Sequence, residues 1–193
     1  NQHRRFSLAK WVLPDELIAH IEQVAQQLAP EDSFNLYQHL FVESDFDLYE
    51  KSGDWEEQQK KLNERRDTAI SEIFQQNGIE GVIRFAESVS SPRKVGYALG
   101  AISDPVIEKT LLPHFLNFAD DKHKALVSSF IWRRFHLKGW ELCDRIDTAD
   151  WTPAQVGQFL ACLPFTKEAW NRASTWLQIH ESEYWTRTSA NAY

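Results

Sequence analysis

The sequence predicts an all-α protein in which about ten helices stack side by side as a solenoid. Apolar residues recur at helical spacing along most of the 193-residue chain, and strand-like alternation of apolar and polar residues never persists. One stretch of sequence also recurs at a fixed distance. A single helix pair cannot bury its apolar face alone, so helices repeated at a fixed period indicate stacked neighbours.

The recurring stretch is Ser91–Ile102, which Thr152–Leu163 repeats 61 residues later. The same offset aligns residues 66–102 with 127–163 without gaps. The identical pairs are Ile70/Ile131, Phe74/Phe135, Gly78/Gly139, Glu80/Glu141, Arg84/Arg145, Pro92/Pro153, Val95/Val156, Gly96/Gly157 and Leu99/Leu160. A hydroxyl residue followed by proline favours a helix start, and a repeated glycine within a helix predicts close helix packing. We therefore expect an internal duplication of about 61 residues.

The first third of the chain predicts three helices. Pro14–Leu28 has an apolar face at helical spacing, and Asp32–Val42 forms a second, shorter helix before an acidic loop. Residues 54–57 (Asp-Trp-Glu-Glu) have the spacing of a capping box and begin a long helix that Gly78 closes. The first half of this helix, Glu56–Arg66, is almost entirely polar, so we expect it to project into solvent or lie along a partner.

The remaining helices each have a start or stop signal. They are predicted at Glu80–Val89, from Pro92, from Pro105 to Leu112, from Asp120 or Asp121 to Gly139, at Trp140–Ile146, from Pro153 and from Thr166. We expect one helical domain over 1–193. It comprises N-terminal helices at 1–53, a first repeat unit at 54–118, a second at 119–180, and a further helix or tail at 181–193. Because the chain contains no methionine, we interpret it as a fragment of a longer protein.

The charge and hydropathy of the sequence argue against two classes of protein, those that bind nucleic acid over a broad surface and those that span a membrane. The net charge is −7, and residues 1–90 contain 17 acidic and 9 basic side chains, which argues against a broad nucleic-acid surface. No apolar run has the length of a membrane span and the start lacks a signal core, so we expect a cytoplasmic protein. Cys143 and Cys162 have no metal-binding spacing and are predicted to be free thiols.

The sequence contains no catalytic motif. A phosphate loop, a dinucleotide fingerprint, an HExxH helix, a GxSxG elbow and paired CxxC motifs are all missing. We therefore predict a non-enzymatic chain without a cofactor or metal. The alternative is a metal-dependent hydrolase with a site assembled from the scattered residues Glu43, Asp45, His114 and His123. The Glu43–Asp47 stretch lacks the glycine and glutamate of a calcium loop and is interpreted as solvated.

Tryptophan is the most unusual feature of the composition. Six of the eight tryptophans lie between Trp132 and Trp185. Such rings either fill gaps between stacked helices or line a binding surface, because Trp, Tyr and Arg supply much of the energy at interfaces. The candidate partner-binding residues are Trp132, Arg133, Trp140, Trp151 and Trp185. Among the tryptophans, we expect Trp151 to be the least likely to lie in the core. A further alternative is that Arg133 and Arg134 form a surface edge that binds nucleic acid.

The order of aromatic residues in the last third resembles a known class of repeat. It comprises Gly139-Trp140, Trp151, Leu163-Pro164-Phe165, Trp170 and Tyr184-Trp185. This order is similar to the helical-repeat regions of very large bacterial proteins, and the repeat geometry is similar to HEAT-type α-solenoids. The resemblance implies a scaffold or interaction segment that binds a protein, a peptide or other domains of its parent. It also implies an alternative, a recognition or sensor segment of an NTPase-linked defence or signalling protein.

Overall fold

The computed structural model describes residues 3, 8–45, 55–117 and 120–188, and all the regular structure within these ranges is helical. The ten α-helices of this part are α1 (Asp15–Gln27), α2 (Ser33–Tyr37), α3 (Trp55–Ser88), α4 (Pro92–Leu99), α5 (Pro105–Leu111), α6 (Asp121–Lys138), α7 (Glu141–Arg145), α8 (Pro153–Ala161), α9 (Lys167–Leu177) and α10 (Ser182–Trp185). Short 3-10 turns cover Gln38–Phe41, His114–Leu116 and Gln178–His180. The all-α prediction is confirmed.

Five of the ten described helices begin at a capping residue whose side chain accepts a backbone hydrogen bond. The side chains of Asp32, Asp104, Asp120 and Thr166 each accept a hydrogen bond from a backbone N–H in the first turn. Thr152 forms a complete capping box with Gln155 at the start of α8. By contrast, the Ser91 side chain makes no capping hydrogen bond, although Pro92 still occupies the first turn of α4. The capping box predicted at Asp54 lies outside the described residues.

Two glycines end helical segments in the left-handed conformation. Gly78 has φ +65° and divides α3 into a first arm, residues 55–77, and a second arm, residues 79–88. Gly139 has φ +57° and ends α6. Residues with a Cβ rarely adopt this conformation, so glycine chemistry fixes both breaks, as predicted.

Two other glycines allow neighbouring helices to approach closely. A Cβ added to Gly96 in α4 would lie 1.9 Å from the Leu126 carbonyl oxygen of α6. A Cβ added to Gly157 in α8 would lie 2.6 Å from the Glu183 carbonyl oxygen of α10. In each case the close neighbour is backbone of another helix, as the sequence predicts for these positions.

The hydrophobic core extends from the Gln38–Phe41 turn through α3, α4 and α6 to α8 and α10. Its fully buried side chains include Phe41, Ile70, Phe85, Leu99, Ile107, Phe130, Phe159 and Tyr184. The expectation that Glu56–Arg66 projects into solvent is wrong along one side. Gln58, Leu62 and Arg66 are buried, because spacing of four residues places them on the same helical face.

The first helix has the predicted bounds to within one residue but buries little of its apolar face. Ile18 is its one buried residue, whereas the side chains of Leu17, Ile21 and Leu28 are 44%, 50% and 78% exposed. The amphipathic pattern of α1 is therefore not matched by packing against the rest of the described chain.

Both cysteines are free thiols, as predicted. Burial raises the pKa of the Cys143 thiol to about 11, which favours the protonated thiol. No helix in the described ranges is long and apolar enough to cross a membrane.

Candidate binding groove

A groove of about 830 Å³ lies between the first arm of α3, α4 and α6, and we refer to it as the α3–α4–α6 groove. Its lining includes Asn63, Arg66 and Asp67 from α3, Arg93, Lys94 and Tyr97 from α4, and Lys124, Ser128, Ser129 and Trp132 from α6. Glu43 and Asp45 also line it. On each helix the lining residues are adjacent or three to four positions apart, so they fall on neighbouring rows of one helical face.

A network around Arg66 forms part of the groove wall. The Arg66 side chain is 3% exposed, its Nε donates to the Leu40 carbonyl at 2.8 Å, and its Nη2 donates to Asp45 Oδ1 at 2.7 Å. The Lys94 ammonium lies 2.8 Å from the same Asp45 oxygen. Burial favours the neutral acid, but hydrogen bonds from Lys94 and Arg66 outweigh it and hold the pKa of Asp45 below its usual range. The network therefore keeps a charged carboxylate between two cations.

A second network, centred on Arg133 of α6, joins the three helices through the groove residues Tyr97 and Asp67. Arg133 Nη1 donates to the Tyr97 hydroxyl at 2.6 Å, and its guanidinium carbon lies 4.5 Å from the Tyr97 ring centroid. Arg133 Nη2 lies 3.5 Å from Asp67 Oδ2. Burial raises the pKa of Asp67, and the nearby Arg133 opposes this rise. Arg133 Nε and Asp67 Oδ1 are buried without hydrogen-bond partners.

Trp132 is the exposed aromatic side chain that lines the groove. It is 39% exposed, and its ring packs edge-on against His136 with centroids 4.8 Å apart. The charges that line the groove are balanced, with four basic and four acidic side chains. A polyanion would need clustered cations, so this lining favours a ligand of mixed polarity.

Of the other predicted partner-binding residues, two are packed rather than free. The Trp140 ring packs edge-on against Phe135, and the Arg172 guanidinium lies 5.2 Å from its centroid. Trp151 is half-buried, and its ring centroid lies 5.6 Å from that of Phe159 in the core. The expectation that Trp151 would be the least core-like tryptophan is therefore wrong, because its connector folds back onto α8.

Trp185 belongs to a separate exposed cluster, which we term the C-terminal aromatic patch and define as Phe165, Trp170 and Trp185. These side chains are 37–44% exposed, and the Phe165 and Trp170 centroids are 5.0 Å apart. Trp185 Nε1 donates to Glu181 Oε1 at 2.8 Å, which fixes the ring on the surface. Trp132 thus lines the groove and Arg133 contacts its lining residues Tyr97 and Asp67, whereas Trp140, Trp151 and Trp185 lie elsewhere.

The residues of the two alternative sites do not assemble. Arg134 is 2% exposed, so Arg133 and Arg134 do not form an edge that nucleic acid could contact. His123 Nε2 lies 2.8 Å from Glu87, and the described ranges contain no group of three or more His, Cys, Asp or Glu side chains suited to a metal. The part of the acidic loop beyond Asp45 lies outside the described residues.

Comparison with known proteins finds no match: no family model, no curated protein and no solved structure is similar to this chain. The fold and the groove define an all-α protein with a mixed-charge surface cleft.

Proposed function

We propose that this chain is a non-enzymatic helical-repeat module, arranged as a HEAT-like solenoid, that binds a peptide segment of a partner protein in the α3–α4–α6 groove. The observation that carries the proposal is the exposed Trp132 ring on a groove of mixed charge. An aromatic side chain beside polar groups is the typical composition of an interaction hot spot.

The repeat arrangement is supported by equivalent features 61 residues apart. Gly78 and Gly139 both have positive φ, and Pro92 and Pro153 both occupy the first turn of a helix. Gly96 and Gly157 are both in close contact with the backbone of another helix. Stacked helical repeats form extended surfaces, and such surfaces commonly bind protein segments.

The chemistry of the lining favours a peptide over a small ion or a nucleic acid. Asn63, Ser128 and Ser129 can each donate and accept a hydrogen bond, which suits the alternating N–H and C=O groups of a peptide backbone. The paired charges at Arg66 and Asp45 leave no uniform field for a polyanion. Trp132 supplies an apolar anchor of the kind that fixes a peptide in register.

The proposal is tested by selecting ligands for the purified protein from a displayed random peptide library. We expect the enriched peptides to lose at least tenfold in affinity with Trp132→Ala, since a hot-spot tryptophan contributes about 2 kcal/mol or more. The matched control is Trp170→Ala in the C-terminal aromatic patch, which is similarly exposed and should leave affinity unchanged. Failure to enrich any peptide, or loss of binding with the Trp170 variant alone, would contradict the proposal.

A further inference from the structure

A second, smaller cavity lies where the start of α5, the last turns of α6 and α7 meet. It has a volume of about 290 Å³ and shares no lining residue with the α3–α4–α6 groove. Six polar side chains line it, namely Ser103, Asp104, Glu108, Arg134, Lys138 and Arg145. Three of them are basic, and two of these, Arg134 and Lys138, are one turn apart on α6.

Arg134 is a buried cation whose hydrogen-bonding groups are not fully used. It is 2% exposed, and neither its Nε nor its Nη1 has a hydrogen-bond acceptor. Glu108 Oε1 lies 3.1 Å from Arg134 Nε, but the two atoms are not aligned for a hydrogen bond. Burial lowers the pKa of Arg134, against the attraction of Glu108 and Asp104. A buried guanidinium whose N–H donors lack acceptors has an unfavourable free energy. Such a group indicates a site where a ligand with hydrogen-bond acceptors can bind.

The remaining side chains contribute more free donors than free acceptors. Asp104 already accepts the Val106 N–H at 2.9 Å and caps α5. Arg145 uses only Nη1, which donates to Glu141 at 3.2 Å, and so keeps several donors. Lys138 makes no hydrogen bond or ion pair within the described ranges and has three donors. Glu108 Oε1 is a buried acceptor without a hydrogen bond, but the lining as a whole holds three cations against two carboxylates. A ligand that completes this cavity therefore supplies acceptors and negative charge.

We propose that this cavity binds a small oxyanion, either a phosphate or a carboxylate group, with Arg134 as its floor and Lys138 and Arg145 at its mouth. The guanidinium fork matches the spacing of two oxygens on such a group. Glu108 and Asp104 lie on the α5 side, so the anion binds on the α6 and α7 side, where the cations are. A volume near the lower limit for ligand pockets admits a small anion rather than a nucleotide.

The test is isothermal titration calorimetry of the whole chain with inorganic phosphate and, separately, with malonate. Added chloride keeps the ionic strength constant. We expect saturable binding of at least one of the two anions. Lys138→Gln should weaken the binding about tenfold, because a charge-assisted hydrogen bond is lost. The control, Lys167→Gln on the surface of α9, should leave it unchanged.

Arg134→Met is expected to abolish binding. If this variant does not fold, as judged by far-UV circular dichroism, the Lys138 and Lys167 pair decides the question. Saturation by phosphate alone would identify a phosphate group, and saturation by malonate alone would identify a carboxylate. The absence of saturable binding by both anions, or equal affinity in the wild-type and Lys138→Gln proteins, would overturn the proposal.

Discussion

The Gly96→Ala substitution is expected to destabilise the protein although it improves helix propensity. The new methyl carbon would lie 1.9 Å from the Leu126 carbonyl oxygen and 2.7 Å from the Leu126 carbonyl carbon. An ordinary contact between carbon and oxygen is about 3.3 Å or longer. Both contacting atoms belong to the backbone, so no rotamer change can relieve the overlap, and α4 and α6 must move apart.

The magnitude follows from two opposing effects. Overpacking a core typically costs about 1–3 kcal/mol, and a rigid backbone neighbour places Gly96 at the upper end of this range. Replacing glycine by alanine within a helix stabilises the helix by about 1 kcal/mol through the higher helix propensity of alanine. We therefore expect the free energy of unfolding to fall by about 2 kcal/mol, which corresponds to a decrease in Tm of about 4–8 °C for a chain of this size.

The assay is urea denaturation followed by far-UV circular dichroism, with Gly157→Ala as the graded comparison. At Gly157 the nearest backbone atom is 2.6 Å away and belongs to the short helix α10, which can shift more easily. The loss of stability should therefore be smaller for this variant. A Gly96→Ala protein as stable as the wild type, or less affected than Gly157→Ala, would refute the close packing of α4 on α6.

Two further predictions concern caps and charges. Thr152→Ala should cost about 1 kcal/mol in the free energy of unfolding because it removes a complete capping box, whereas Ser91→Ala should cost little because Ser91 forms no cap. Equal losses in urea denaturation would contradict this. Asp45 and Asp67 should give opposite pH dependences of stability. The lowered pKa of Asp45 means that its contribution is present above its unfolded pKa and is lost as the pH falls through the folded pKa. The raised pKa of Asp67 means that its contribution is present at low pH and is lost as the pH rises through the folded pKa. Comparing Asp45→Asn and Asp67→Asn with the wild type in denaturation series from acid to neutral pH measures both slopes, and slopes of the same sign would contradict the assignment.

The helix boundaries were predictable because local backbone chemistry sets them. Glycine at 78 and 139, proline at 92 and 153, and the capping side chain of Thr152 act within a few residues of their own positions. The close contacts at Gly96 and Gly157 were also predictable, since a glycine within a helix is costly unless packing requires it.

The side chains of the groove were less predictable because their environment is set by distant residues. The burial of Arg66 depends on the Leu40 carbonyl, 26 positions earlier in the chain, and on Asp45. Tyr97 was not singled out, because its role depends on contact with Arg133 from another helix. Sequence alone could not distinguish the exposed Trp132 from the packed Trp151, since the exposure of each ring is set by tertiary contacts with distant residues.

The central claim is that the α3–α4–α6 groove is the surface that binds a peptide. It is tested most directly by placing a photoreactive amino acid at Arg93, an exposed residue on the groove, and at Ser174, an exposed residue on α9. A peptide selected from the random library is then cross-linked to each variant. We expect cross-linking from position 93 that unlabelled peptide competes away, and none from position 174. Cross-linking from position 174 alone would contradict it.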